Sequence, residues 1–143
     1  MANPRNTVKF NGIGREAQTF YIDDDTITFD RDEPHGSAQV GKAVKLVDGA
    51  TIALTTDGSH VLGVLEHVEA DGKAGVQTEG YAAFPGGDGA TLTLGAKIVG
   101  DLGPSSAPGY IRAVATATAA ELGMARGMII DETDPTEVWV KLE

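Results

Sequence analysis

"VGKAVKLVDGATIALTTDGSHVLGVLE", residues 40–66, decides the fold class. Two Asp-Gly pairs, at 48–49 and 57–58, interrupt short alternating apolar runs. Glycine supplies the positive φ that tight turns need, so each pair marks a reversal of an extended chain. Residues 61–65 are almost continuously apolar, as in a strand covered on both faces. Gly63 within them marks either a bulge or the close crossing of another backbone.

The same punctuation continues outward. Asp-Gly recurs at 71–72 and 88–89, and the spacing predicts strands over 40–47, 51–55, 61–68 and 75–84. In the closing segment "EVWVKLE", Val138, Val140 and Leu142 share one face. Trp139, Lys141 and Glu143 share the other, so Trp139 points away from the aliphatic face. It is either an anchor at a subunit contact, since tryptophan is enriched in interface hot spots, or buried beneath the chain's own loops. Only "TATAAELGMARG", 116–127, has a helical composition, with Gly123 as a candidate cap. It predicts either one short helix or a β connection. The fold class is therefore all-β, a small barrel or sandwich with at most one short helix.

The second half resembles the first. "VGKAVKLVDG" from Val40 matches "LGAKIVGDLG" from Leu94, and Gly127 takes the place of Gly63. "AGVQTEG" matches "TEVWVKLE", and an insertion of about ten residues in the second copy falls where surface turns tolerate length. Two diverged β units of this kind would pair about a pseudo-twofold axis to close one small barrel or sandwich.

Residues 1–38 read differently. They hold extended pieces at 7–10, 19–22 and 26–29, and Asp23, Asp24 and Asp25 would turn the second back on the third as a hairpin. "DRDEPHGS" then reads as a linker. This predicts an N-terminal arm over 1–38 and a β-rich domain over 39–143. The other reading makes 1–38 the first strands of the same barrel. An arm with alternating apolar residues can add to a sheet edge, with Val8, Phe10, Phe20, Tyr21 and Ile22 as the contact candidates.

Composition restricts the function classes. A net charge of −10 repels a polyanion, so no nucleic-acid partner is expected. There is no cysteine, which excludes thiolate catalysis and Cys-ligated metal. Neither a signal-peptide run in "MANPRNTVKF" nor a bilayer-length apolar stretch is present, which predicts a soluble protein made in a cytoplasm, with no membrane partner. His60 and His67 would face opposite sides of a bulged strand, and His35 sits in the linker, so no histidine metal site is expected. "IDDDTITFDRDE" has Thr28 where a calcium loop needs glycine. "FPGGDGATL" lacks the Lys-Ser/Thr of a phosphate loop and reads as a flexible hairpin tip. Glu66 and Glu69 need no role beyond a solvated strand end. No catalytic residue, cofactor or metal is predicted, and the chain is expected not to be an enzyme.

The pattern "GKAVKLVDG", "IALTTDGSHVLGVLEHVEADGKAGVQTEG", "LGAKIVGD" and "LGMARGMIIDE…EVWVKL" resembles the capsid decoration (cement) proteins of tailed bacteriophages, over roughly residues 40–143. Its motifs describe turns and close strand packing rather than a site. The resemblance implies a clip- or tulip-like β fold and a homotrimer at threefold or quasi-threefold positions of the virion's outer capsid surface. It also implies the major capsid protein as partner and an N-terminal arm that adds a strand to the shell. Residues 1–38 match no motif of that family. Two other classes fit the same texture: a tail or head-completion protein, and a ligand-binding clip domain.

Overall fold

A computed structural model describes residues 15–23, 26–115 and 119–143. Among the described residues nine strands form. They are β1 (Glu16–Ile22), β2 (Ala43–Asp48), β3 (Thr51–Leu54), β4 (Gly63–Val68), β5 (Lys73–Phe84), β6 (Ile98–Asp101), β7 (Tyr110–Ala113), β8 (Met128–Asp131) and β9 (Val138–Leu142). One short helix, α1 (Ala119–Met124), lies between β7 and β8, and Gly123 falls inside it rather than capping it. All four Asp-Gly glycines adopt positive φ, between 27° and 84°.

Strands pair in the order β1-β3-β2-β4-β5, and β5 pairs back with β1, so five strands close a barrel. Every pair in this ring is antiparallel except β1 with β3. Closure removes the unpaired edges that a five-stranded sheet would otherwise expose. Ile52, Leu65 and Val76 fill this first interior, with Phe20, Ile22 and Leu62 packed against it.

The remaining strands repeat the ring. The distal half of β5 pairs with β9, β9 with β8, and β6 with β7. Isolated bridges from Gly86 to Ile111 and from Ile98 to Arg126 complete the circuit. The registers are equivalent strand by strand. Val44 opposite Leu54 answers to Ile98 opposite Ala113, and Leu65 opposite Val76 answers to Ile129 opposite Val140. Even the bulge is copied, between Leu65 and His67 in one ring and between Ile129 and Asp131 in the other. Phe20 opposite Ala74 becomes Phe84 opposite Val138, and the parallel pair Ile22–Ile52 becomes Gly86–Ile111. Connecting hydrogen bonds match too: Gly41 N–H to Leu65 O and Gly95 N–H to Ile129 O are both 2.8 Å.

Thus residues 16–79 and 80–143 are two diverged units of equal length, joined by the continuous strand β5. The second has a shorter entry (Gly86–Ile98 against Ile22–Val44) and two longer connections (Gly100–Ile111 against Leu46–Ile52, and Ile111–Ile129 against Ile52–Leu65). The expected small β-barrel of two diverged units is thus what forms: β5 with β1 closes the ring of the first unit, and isolated bridges link the strands of the second into a matching ring. The second interior holds Phe84, Ile98, Ile111, Ile129 and Val140, the counterparts of the first.

Three local expectations change. Residues 26–29 form no strand, so the hairpin with 19–22 does not exist; β1 instead spends its hydrogen bonds on β5 and β3. Ile27 drops into the first core at 3% exposure. β1, Glu16–Ile22, lies within the stretch assigned to an arm and is a strand of the barrel, as the second of the two readings has it. "FPGGDGATL" is not a free hairpin tip, because Gly86 N–H donates to Pro135 O and Gly87 N–H to Ile111 O.

Candidate functional site

The best-defined contact surface is the seam between the barrels. The loop between β6 and β7 reaches back onto the first barrel, where Ala43 N–H donates to Gly109 O and Gly109 N–H to Thr55 O, both 2.9 Å. Thr55 Oγ1 donates to Tyr110 O at 3.0 Å, and Lys42 Nζ reaches Tyr110 Oη at 2.7 Å while lying over its ring. Gly109 has φ of 99°, and a Cβ there would stand 3.0 Å from Lys42 Cβ, so glycine is needed for conformation and for approach alike. Below this loop, Ala43, Val61 and Val64, on the outside of the first barrel, pack into the core of the second.

Two arginines pin the seam. Arg126 stands where the first unit has Leu62, half-buried, and its guanidinium donates to Leu62 O (2.7 Å), Thr78 O (2.9 Å) and Glu143 O (2.9 Å). Five fixed donors in a planar fork suit an array of carbonyls better than an ammonium does. Burial lowers its pKa, and nearby Glu79 opposes that. Arg112, on β7, bonds Asp57 of the first barrel at 3.1 Å and also Glu121 of α1. That pairing, with the Ala115 N–H second, holds the Glu121 carboxyl at about 2, and it raises the Arg112 pKa. Asp101 nearby is pushed upward, chiefly by burial and further by Asp57. A part-buried guanidinium held between two carboxylates acts here as a fastener between the barrels.

Beside the second barrel lies a cleft of about 580 Å³ lined by Thr91, Thr93, Ala96, Ala113, Val114 and the Arg112 side chain. Its wall is mostly apolar, and its one charged lining group is committed to Asp57 and Glu121.

The sequence candidates fall out as follows. Val8 and Phe10 lie outside the described residues. Strand alternation sends Phe20 and Ile22 onto the first core and Tyr21 out, 56% exposed. Phe20 and Ile22 are thus partly buried against the barrel's own core. Trp139 is buried at 8% exposure, which makes it an internal residue of this chain rather than an open anchor. Its ladder neighbours are small, Ala83 on one side and Asp131 on the other, and that leaves room for the indole. In the first unit the same pair of positions holds His67 and Gly75, with the His67 ring filling the space a Gly75 Cβ would take. Bulk has moved from one strand to its partner.

His60 Nε2 accepts the Leu46 N–H at 2.8 Å, and burial, with Lys45 second, lowers its pKa. Glu66 is paired with Arg15. Among the described residues no three metal-ligating side chains come together, and no helix is long and apolar enough to cross a membrane. Sequence reasoning passed over Arg112 and Arg126. For Arg126 the signal was present: in the repeat it replaces an apolar residue beside the matched Gly63–Gly127 pair. No protein-family model and no curated protein matches the sequence.

Proposed function

We propose that this chain is a non-catalytic capsid decoration protein of a tailed bacteriophage. It binds the major capsid protein on the outer surface of the expanded head as a homotrimer at threefold or quasi-threefold positions, and it stabilises the shell. It is made in the host cytoplasm and ends in the virion. One observation carries this reading. The residues behind the resemblance, Gly41 and Gly95, Gly63 and Gly127 and the strands around them, sit at equivalent points of the hydrogen-bonded framework in the two barrels. The shared pattern is therefore architectural, as expected of a protein whose work is packing and adhesion. Its acidity suits an abundant surface component and disfavours contact with packaged DNA.

In this proposal the segment before β1, carrying Val8 and Phe10, supplies the shell contact, and Tyr21, exposed near the far end of β1, adds to it. The test is co-sedimentation of purified protein with expanded, undecorated heads of its own phage. Saturable binding near three copies per threefold site is expected. Deleting residues 1–14, which spares β1, should abolish it. Absence of binding by the full-length protein overturns the proposal.

A further inference from the structure

The seam joins two different faces of one repeated unit, and each face occurs a second time with no other described residue packed on it as at the seam. On the first barrel, Lys42, Ala43, Leu54 and Thr55 form a socket that holds Gly109 and Tyr110 of the second. The equivalent positions on the second barrel are Ala96, Lys97, Ala113 and Val114. Three of these four line the 580 Å³ cleft, so among the described residues the cleft is an unfilled copy of the occupied socket. Next to the filled socket, Val64 is 7% exposed under the second barrel, whereas its counterpart Met128 is 38% exposed and Leu94 lies open nearby.

The inserting face is duplicated as well. Gly109 and Tyr110 correspond to Ala50 and Thr51, at the turn between β2 and β3 on the far side of the first barrel. That turn is flanked by Leu46 and Val47, both exposed, and by Tyr21, whose N–H donates to Ala50 O. The turn is shorter than the loop between β6 and β7, but the residues at its strand end are retained. Exposed apolar side chains on a chain of charge −10 thus gather at both unpaired faces.

We propose that copies of this chain associate head to tail, the turn around Val47 and Ala50 of one copy entering the socket around Ala96 and Val114 of the next. Contacts between unlike faces leave one socket and one turn free at each step, so assembly ends only when a ring closes. This names the faces of the trimer proposed above, and it holds whether or not a phage head is the partner.

The experiment is sedimentation velocity of the full chain without capsids, across a range of concentrations. Wild type should give species larger than a dimer. Val47→Glu spoils the turn and Thr93→Glu the mouth of the socket, both at exposed positions, and each alone should sediment as a monomer with an unchanged far-UV spectrum. Mixed, the two retain one intact turn and one intact socket between them, and should form a dimer that grows no further. A wild type that stays monomeric overturns the proposal. So does an oligomer indifferent to both variants, or a mixture that gives no dimer. Loss of capsid binding with self-association intact would instead count against the decoration role alone.

Discussion

Gly63 carries more of the architecture than any apolar residue around it. A Cβ there would lie 1.9 Å from the Gln77 carbonyl oxygen, a backbone atom that cannot step aside. At the equivalent place, Gly127 brings its backbone against Lys141 O. The glycine is what allows β4 and β5 to lie so close in the first unit, as Gly127 does for β8 and β9 in the second. Gly63→Ala should therefore cost about 1–3 kcal/mol through overpacking, measured as a lower urea midpoint at unchanged slope. A loss below a few tenths would show that the strands separate easily there. Half of this was legible, because a glycine in an apolar run marks either a bulge or a crossing backbone, and the close approach of Gln77 O shows it to be the latter. Trp139 was not legible in the same way: alternation gave its face, but only the folded chain, which leaves it 8% exposed, decided that the face is covered.

At the scale of elements, strands β2 to β5 follow from Asp-Gly spacing within a residue or three of the expected bounds, because turn chemistry is local. The partner of β1 does not follow, since pairing with β5 joins residues far apart in sequence and nothing near Ile22 encodes it. The connection from β7 to β8 shows how the units diverged. There Arg126 replaces the apolar Leu62 and binds three carbonyls that would otherwise lack this donor. Arg126→Leu restores the residue of the first unit, and its expected cost is about 2 kcal/mol from the donors withdrawn. Thermal unfolding checks it. An unchanged midpoint would mean that water or repacking replaces the guanidinium and that the seam rests on its apolar contacts.

For the whole molecule, the question is whether two barrels are one folding unit. β5 belongs to both, and Ala43, Val61 and Val64 of the first pack into the core of the second. Ile52 and its counterpart Ile111 are each fully buried, so Ile52→Ala and Ile111→Ala should each cost about 2–5 kcal/mol. Both should shift one common transition. Trp139, the single tryptophan, lies in the second barrel and reports on it alone, whereas far-UV circular dichroism reports on both. If Ile52→Ala moves the far-UV transition but leaves the Trp139 fluorescence transition in place, the barrels unfold separately.

The sequence by itself determined the all-β class, the turns and the existence of two related units, because turn preference and strand alternation are properties of neighbouring residues. It also displayed the register of the repeat through Gly41 with Gly95 and Gly63 with Gly127. Tertiary structure alone decided that β5 closes on β1, that Glu16–Ile22 is a strand of that barrel, and that unlike faces meet at the seam. Those outcomes depend on hydrogen bonds and packing between distant segments, and two sequences with the same local pattern can satisfy them in more than one way.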